Sequence, residues 1–148
     1  MVARFVSDPI DLPPADAEFS RADLIFYDVD HSGSSYEARV YLDDPDVKVA
    51  AGREPRSYAG AFHIFGHGGC FGDEGHCDVP TGPSDPFDMR TPHQLTPQTK
   101  LVTITEALRA VFSGGAPKQL TVTVVAETPG DAPNDVLAFD RLRLVTYK

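Results

Sequence analysis

Tyr36-Glu-Ala-Arg-Val-Tyr-Leu42 is the stretch that decides the fold class. Tyr36, Ala38, Val40 and Leu42 fall on one face and Glu37, Arg39 and Tyr41 on the other. A period of two marks a strand with one side against a core. Upstream, residues 24–29 (LIFYDV) form a short run that is apolar on both sides, as a buried strand would be. Asp30-His-Ser-Gly-Ser-Ser35 between them is turn chemistry, so the two runs are predicted to pair as a hairpin. Downstream, residues 43–56 make a polar connection broken by Pro45 and Pro55, with room for a short strand at 47–50.

The next apolar-aromatic strand, 58–65, runs into a glycine-rich loop within S-Y-A-G-A-F-H-I-F-G-H-G-G-C-F-G-D-E-G-H-C (57–77). Five prolines, at 80, 83, 86, 92 and 97, carry the loop on to about residue 98. A loop that long in a compact domain is uncommon and is usually functional. Thr103-Ile-Thr-Glu106 has the form of a capping box and opens a short helix over 104–112, which Ser113-Gly-Gly115 stops. Residues 120–126 alternate again, with Leu120, Val122, Val124 and Ala126 predicted inward and Thr121 and Thr123 outward. The last strand is placed at 136–147. Its apolar phase shifts between Phe139 and Leu142, which predicts a bulge near Asp140-Arg141. Short strands, one brief helix and abundant Gly and Pro point to a mainly β protein. The expected architecture is an antiparallel β-sandwich, jelly-roll-like or a flattened barrel. Residues 1–21 read as an extended arm because Pro9, Pro13 and Pro14 deny a helix. Residues 22–148 form the domain, with the Gly/Pro-rich loop at 66–98.

The chain has 148 residues, 41% of them hydrophobic, which suits one domain with a core of its own. Its 22 acidic and 13 basic residues give a formal charge of -9. That field repels nucleic acid and anionic lipid, and basic clusters interleaved with aromatics are absent; neither partner is expected. No stretch approaches the roughly 20 apolar residues of a membrane span, and the first residues lack an apolar signal core. The expectation is a cytoplasmic protein, unless it is exported together with a partner.

His63, His67, Cys70, His76 and Cys77 gather three of the five histidines and both cysteines in fifteen positions. Were the strand to run on through Gly66, His63 and His67 would share a face, and the cysteines and His76 could fold back to complete an N/S set. Such a set suits copper(I), with zinc the alternative. A Cys70–Cys77 disulfide with surface histidines is the rival, as are two reduced structural thiols. An oxidising compartment favours the disulfide and the missing signal counts against it. A cysteine nucleophile beside His76 has the right atoms but no catalytic signature around it. Asp28-x-Asp30-x-Ser32-Gly33 imitates the start of a calcium loop. Arg39 stands where the bidentate Glu belongs, so an Asx-rich turn is the reading. Asp43, Asp44 and Asp46, the pair Asp73-Glu74, and His93 read as solvated loop groups.

A family resemblance covers residues 22–147. Tyr58, Ala59, Gly60, Phe62, Ile64 and Gly66, then Asp85-Pro-Phe-Asp88, then Ile104-Thr-Glu-Ala-Leu108 resemble the C-terminal β-sandwich domain of type-3 copper proteins. Those are the tyrosinases, polyphenol oxidases and molluscan haemocyanin units. The resemblance implies a sandwich that packs over a separate four-helix domain whose histidines hold two coppers, and that can shield the site with an inserted apolar side chain. Phe71 lies nearest that side chain in position. The loop 66–77 departs from the family by its length and its His/Cys cluster. Six copper-binding histidines cannot be found among five, and one short helix cannot carry them. The expected role is therefore a non-catalytic accessory domain whose partner is a tyrosinase-like or other type-3 copper oxidase. The alternatives are a stand-alone copper or zinc protein using the five-residue cluster, and an enzyme with a site in the loop 66–98.

Overall fold

Tyr36–Leu42 is a strand held on both sides by neighbours, and its Ala38 and Val40 are sealed from solvent. The computed structural model describes residues 2–14, 17–68, 74–83, 85–89, 94–115, 117–128 and 136–148. In chain order the elements are β1 (Val2–Val6), β2 (Ile10–Asp11), β3 (Arg21–Val29), β4 (Tyr36–Leu42), β5 (Tyr58–Ile64), β6 (Gln98–Thr103), α1 (Thr105–Gly114), β7 (Gln119–Leu120), β8 (Val122–Glu127) and β9 (Arg141–Tyr147). One sheet has the order β1-β8-β4-β5 and a second the order β6-β3-β9, while β2 and β7 form a two-stranded ribbon. Among the described residues every pairing is antiparallel and no sheet closes on itself. This is the expected antiparallel sandwich, open rather than barrel-like.

The inner faces follow the period-two rule. Ala22, Leu24 and Phe26 from β3 meet Val40, Phe62 and Val124 from the other sheet. Phe26 is the centrepiece, its ring 4.8 Å from Phe62 and 5.3 Å from Phe139. Leu108 of α1 plugs one end of the same cluster. At one side the sheets nearly touch: Gly60 has φ +148°, and a Cβ there would lie 2.6 Å from Val102 Cγ1. Only glycine fits both that torsion and that gap.

Several local expectations are corrected. β3 and β4 do not form a hairpin; β3 pairs with β6 and β9, and β4 with β5 and β8. The turn 30–35 carries the chain from one sheet to the other, because each run buries its apolar face across the core from the other. Residues 47–50 hold no strand. Val49–Ala51 is a turn of 3-10 helix, and Val47 and Val49 pack with Tyr41 and Val125 on the outer side of the four-stranded sheet. That cover explains why Val125, on the outward phase of β8, is fully buried; Thr123, expected outward, is fully buried as well. The capping box does not form. Thr103 is paired to Asp23 within β6, the helix begins after Ile104, and no side chain caps it. Thr105 instead accepts a hydrogen bond from the Ala22 amide at 3.0 Å. The last strand begins at Arg141, and Asp140 enters it by donating to the Tyr27 carbonyl, without the expected bulge. Val2–Val6 of the N-terminal arm is extended, and it is paired to β8 with Ala3 and Phe5 against the core.

Candidate functional site

The loop 66–98 leaves β5 by clamping onto the turn 30–35. The Gly66 amide donates to Ser35 Oγ at 3.0 Å, the His67 amide to the His31 carbonyl at 3.1 Å, and the Gly68 amide to the Gly33 carbonyl at 2.8 Å. On the turn, Asp30 accepts from both the Ser32 amide (2.8 Å) and the Ser32 hydroxyl (3.0 Å). This is the Asx turn that the sequence suggested in place of a calcium loop.

The clamp sets His67 against His31, with ring centroids 5.1 Å apart and planes at 75°. Phe65, 81% exposed, lies on the other side of His67 at 5.9 Å. His31 is 6% exposed and its Nε2 stands 2.8 Å from the Thr96 carbonyl oxygen. A carbonyl only accepts, so Nε2 donates to it, and among the described residues the buried Nδ1 has no hydrogen-bond partner. Sequence reasoning passed over His31 as a turn residue. Nothing in Asp30-His-Ser-Gly signals that two loops close over it.

The five residues of the candidate metal set have different surroundings. β5 ends at Ile64, so His63 and His67 do not share a strand face. His63 lies opposite Glu37 on the outer side of the four-stranded sheet, its Nε2 3.3 Å from Glu37 Oε2, which also accepts from Arg53 at 3.0 Å. Burial alone would raise the Glu37 carboxyl. The hydrogen bond and charge of Arg53, followed by those of His63, outweigh it and hold the group below the usual carboxylate range. His76 is half-buried in an open groove of about 750 Å³ that it shares with Asp78, Asp85 and Asp88. Cys77 is disulfide-bonded, and its carbonyl accepts from the Leu95 amide at 3.2 Å, tying the two limbs of the loop. The chain's other cysteine, Cys70, lies outside the described residues, as do Phe71, Asp73 and His93. Among the described residues no three His, Cys, Asp or Glu side chains converge as a metal shell. A dicopper centre needs six histidines where the chain has five, and the described ones, His31, His63, His67 and His76, are dispersed over a turn, a strand and the long loop.

No family model matches the chain, and no curated protein matches it. Among solved structures the outcome is different. The fold is that of a polyphenol oxidase segment. The chain superposes on a latent aurone synthase (polyphenol oxidase) from natural source with a TM-score of 0.52 and 16% identity. The match covers 99% of this chain and 24% of that one, so the protein spans about a quarter of the oxidase's length. At this identity the likeness is one of fold, and it accords with the resemblance carried by Tyr58–Gly66, Asp85–Asp88 and Ile104–Leu108. No helix among the described residues is long and apolar enough to cross a membrane.

Proposed function

We propose that this chain is a non-catalytic accessory β-sandwich that associates with a type-3 copper oxidase. There it shields the active site or assists folding or copper loading of the helical partner. What supports the reading is the pairing of the two coverages: nearly all of this chain corresponds to a minor part of the oxidase. The match lies within about a quarter of the oxidase, and the five histidines cannot supply a dicopper centre.

Among the described residues the three most exposed apolar side chains lie together along the chain, away from the core. Phe65, Phe87 and Met89, each more than 80% exposed, lie on the long loop or at its start. Covering them would contribute the usual gain of apolar burial, about 25 cal/mol per Å². In the copper-loading form of the role, His63, His67, Cys70, His76 and Cys77 are the donors. The disulfide at Cys77 withholds its thiolate until it is reduced. A disulfide also suits an oxidising compartment, which favours export with the partner over the cytoplasmic expectation.

Co-expression with a tyrosinase-like oxidase tests the role. Shielding lowers diphenol oxidation by the complex until the chain is removed; folding or loading assistance raises the yield of copper-filled oxidase. An oxidase with the same yield, copper content and rate with and without this chain contradicts the proposal.

A further inference from the structure

The outward face of β6-β3-β9 carries charge of the wrong sign for this chain. Antiparallel register puts directly paired residues on one face. Arg21 pairs with Tyr147, Tyr27 with Arg141, and Ile25 with Leu101 on one side and Arg143 on the other. These are the odd-numbered residues of β3, opposite in phase to the core residues Ala22, Leu24 and Phe26. The face is aromatic and cationic. The guanidinium of Arg141 lies 4.5 Å from the Tyr27 ring centroid and that of Arg21 lies 5.8 Å from the Tyr147 ring centroid. Leu101 and Tyr147 remain 45% and 41% exposed.

Its carboxylate is already spent. Asp23, fully buried in the central row, is held by Arg21 Nε at 2.8 Å. Among the described residues neither Arg141 nor Arg143 is paired with a carboxylate. Asp28 and Asp140 adjoin the face in sequence but fall outside its paired rows. On the other sheet, Arg39 of β4 is neutralised by Glu127, Arg4 of β1 donates to the Pro45 and Val47 carbonyls, and Arg53 of the connection before β5 pairs with Glu37. On a chain of formal charge -9, one sheet face thus presents three guanidiniums against one carboxylate.

We infer that this face is the docking surface for a protein partner that presents carboxylates around an apolar patch. Tyrosine and arginine beside apolar side chains make up the composition that dominates protein–protein binding energy. Guanidiniums stacked on rings lose little further freedom on pairing with carboxylates. The overall acidity of the chain works against an anionic membrane as the occupant, while a protein can align its acidic patch with this face alone. The inference rests on the proposed accessory role only for naming the oxidase as the partner.

The test compares R141E/R143E with K48E/K118E, which makes the same charge change at exposed lysines elsewhere, and with the neutral pair R141Q/R143Q. Thermal melts establish that each is folded. Two protein probes are used, the type-3 copper oxidase and a poly(Glu,Tyr) copolymer, with phosphatidylserine vesicles as a third. The expected result is loss of affinity for both protein probes by about tenfold or more in R141E/R143E, less in R141Q/R143Q, and none in K48E/K118E. Arginine-dependent binding of the copolymer without binding of the oxidase keeps the docking face and removes the oxidase as partner. Binding of the oxidase that no arginine substitution weakens overturns the inference and leaves the accessory role standing. Equal losses in the arginine and lysine variants, no binding of either protein probe, or binding of the vesicles alone also overturns it.

Discussion

A Cβ on Gly66 would stand 2.2 Å from the carbonyl oxygen of Gly33, and backbone lies on both sides of that contact. Neither partner is a flexible side chain that could swing away, so the clamp between the long loop and the turn 30–35 depends on a missing methyl group. Gly66→Ala is expected to destabilise the protein by about 1–3 kcal/mol, the usual cost of overpacking. The His31 and His67 ring resonances should move with it. Chemical denaturation and an NMR spectrum of the imidazoles check both outcomes.

Phe26 and Phe87 give a contrast within one residue type. Phe26 is fully buried against two other rings, whereas Phe87 is 88% exposed. Phe26→Ala should cost about 3–5 kcal/mol. Phe87→Ala should stay within about 0.5 kcal/mol of the parent in isolation. Equal effects in a urea titration would mean that the core is misplaced.

Acid should act through Glu37. Its carboxyl is held below the ordinary range, chiefly by Arg53 against the opposing effect of burial. The folded state therefore binds a proton less readily than the unfolded chain. The stability this contributes is present above the ordinary carboxylate pKa and is lost as pH falls through the lowered one. Melting temperatures of the parent and Glu37→Gln should converge as pH is taken from 7 to below 4. Parallel curves would contradict the assignment.

Alkali should act through Tyr36. Burial pushes its phenol up to about 12, partly offset by the Leu137 backbone, although among the described residues its oxygen makes no hydrogen bond of normal geometry. The unfolded chain loses that proton near pH 10, so stability falls as pH rises from about 10 toward the folded value. An ultraviolet titration should show a late phenol near pH 12 that is missing from Tyr36→Phe.

The local pattern in the sequence carried the strands and most of the core, and the structure shows why it stopped there. Tyr36–Leu42 and residues 120–126 are legible because each turns an unbroken apolar phase to the core. What such a phase cannot tell is which sheet a strand joins. Asp30-His-Ser-Gly has the composition of a hairpin turn and serves instead as a crossover between sheets. Val125 lies on the outward phase until the distant segment 47–51 covers it. Thr103-x-x-Glu106 fits a cap, but strand pairing with Asp23 takes Thr103 first. The site suffers most, since His31 and His67 are brought together by hydrogen bonds between loops about 35 positions apart, two of them backbone to backbone and one from the Gly66 amide to Ser35 Oγ. The arginine face was hidden for a related reason: Arg21, Arg141 and Arg143 are scattered along the chain, and register alone aligns them.

The most direct measurement of the central claim is light scattering on a chromatographed mixture of this chain and a type-3 copper oxidase that lacks its own β-sandwich. The account predicts a stoichiometric complex, with no diphenol oxidation by this chain when it is run alone. Two separate peaks, or turnover by the isolated chain, would contradict it.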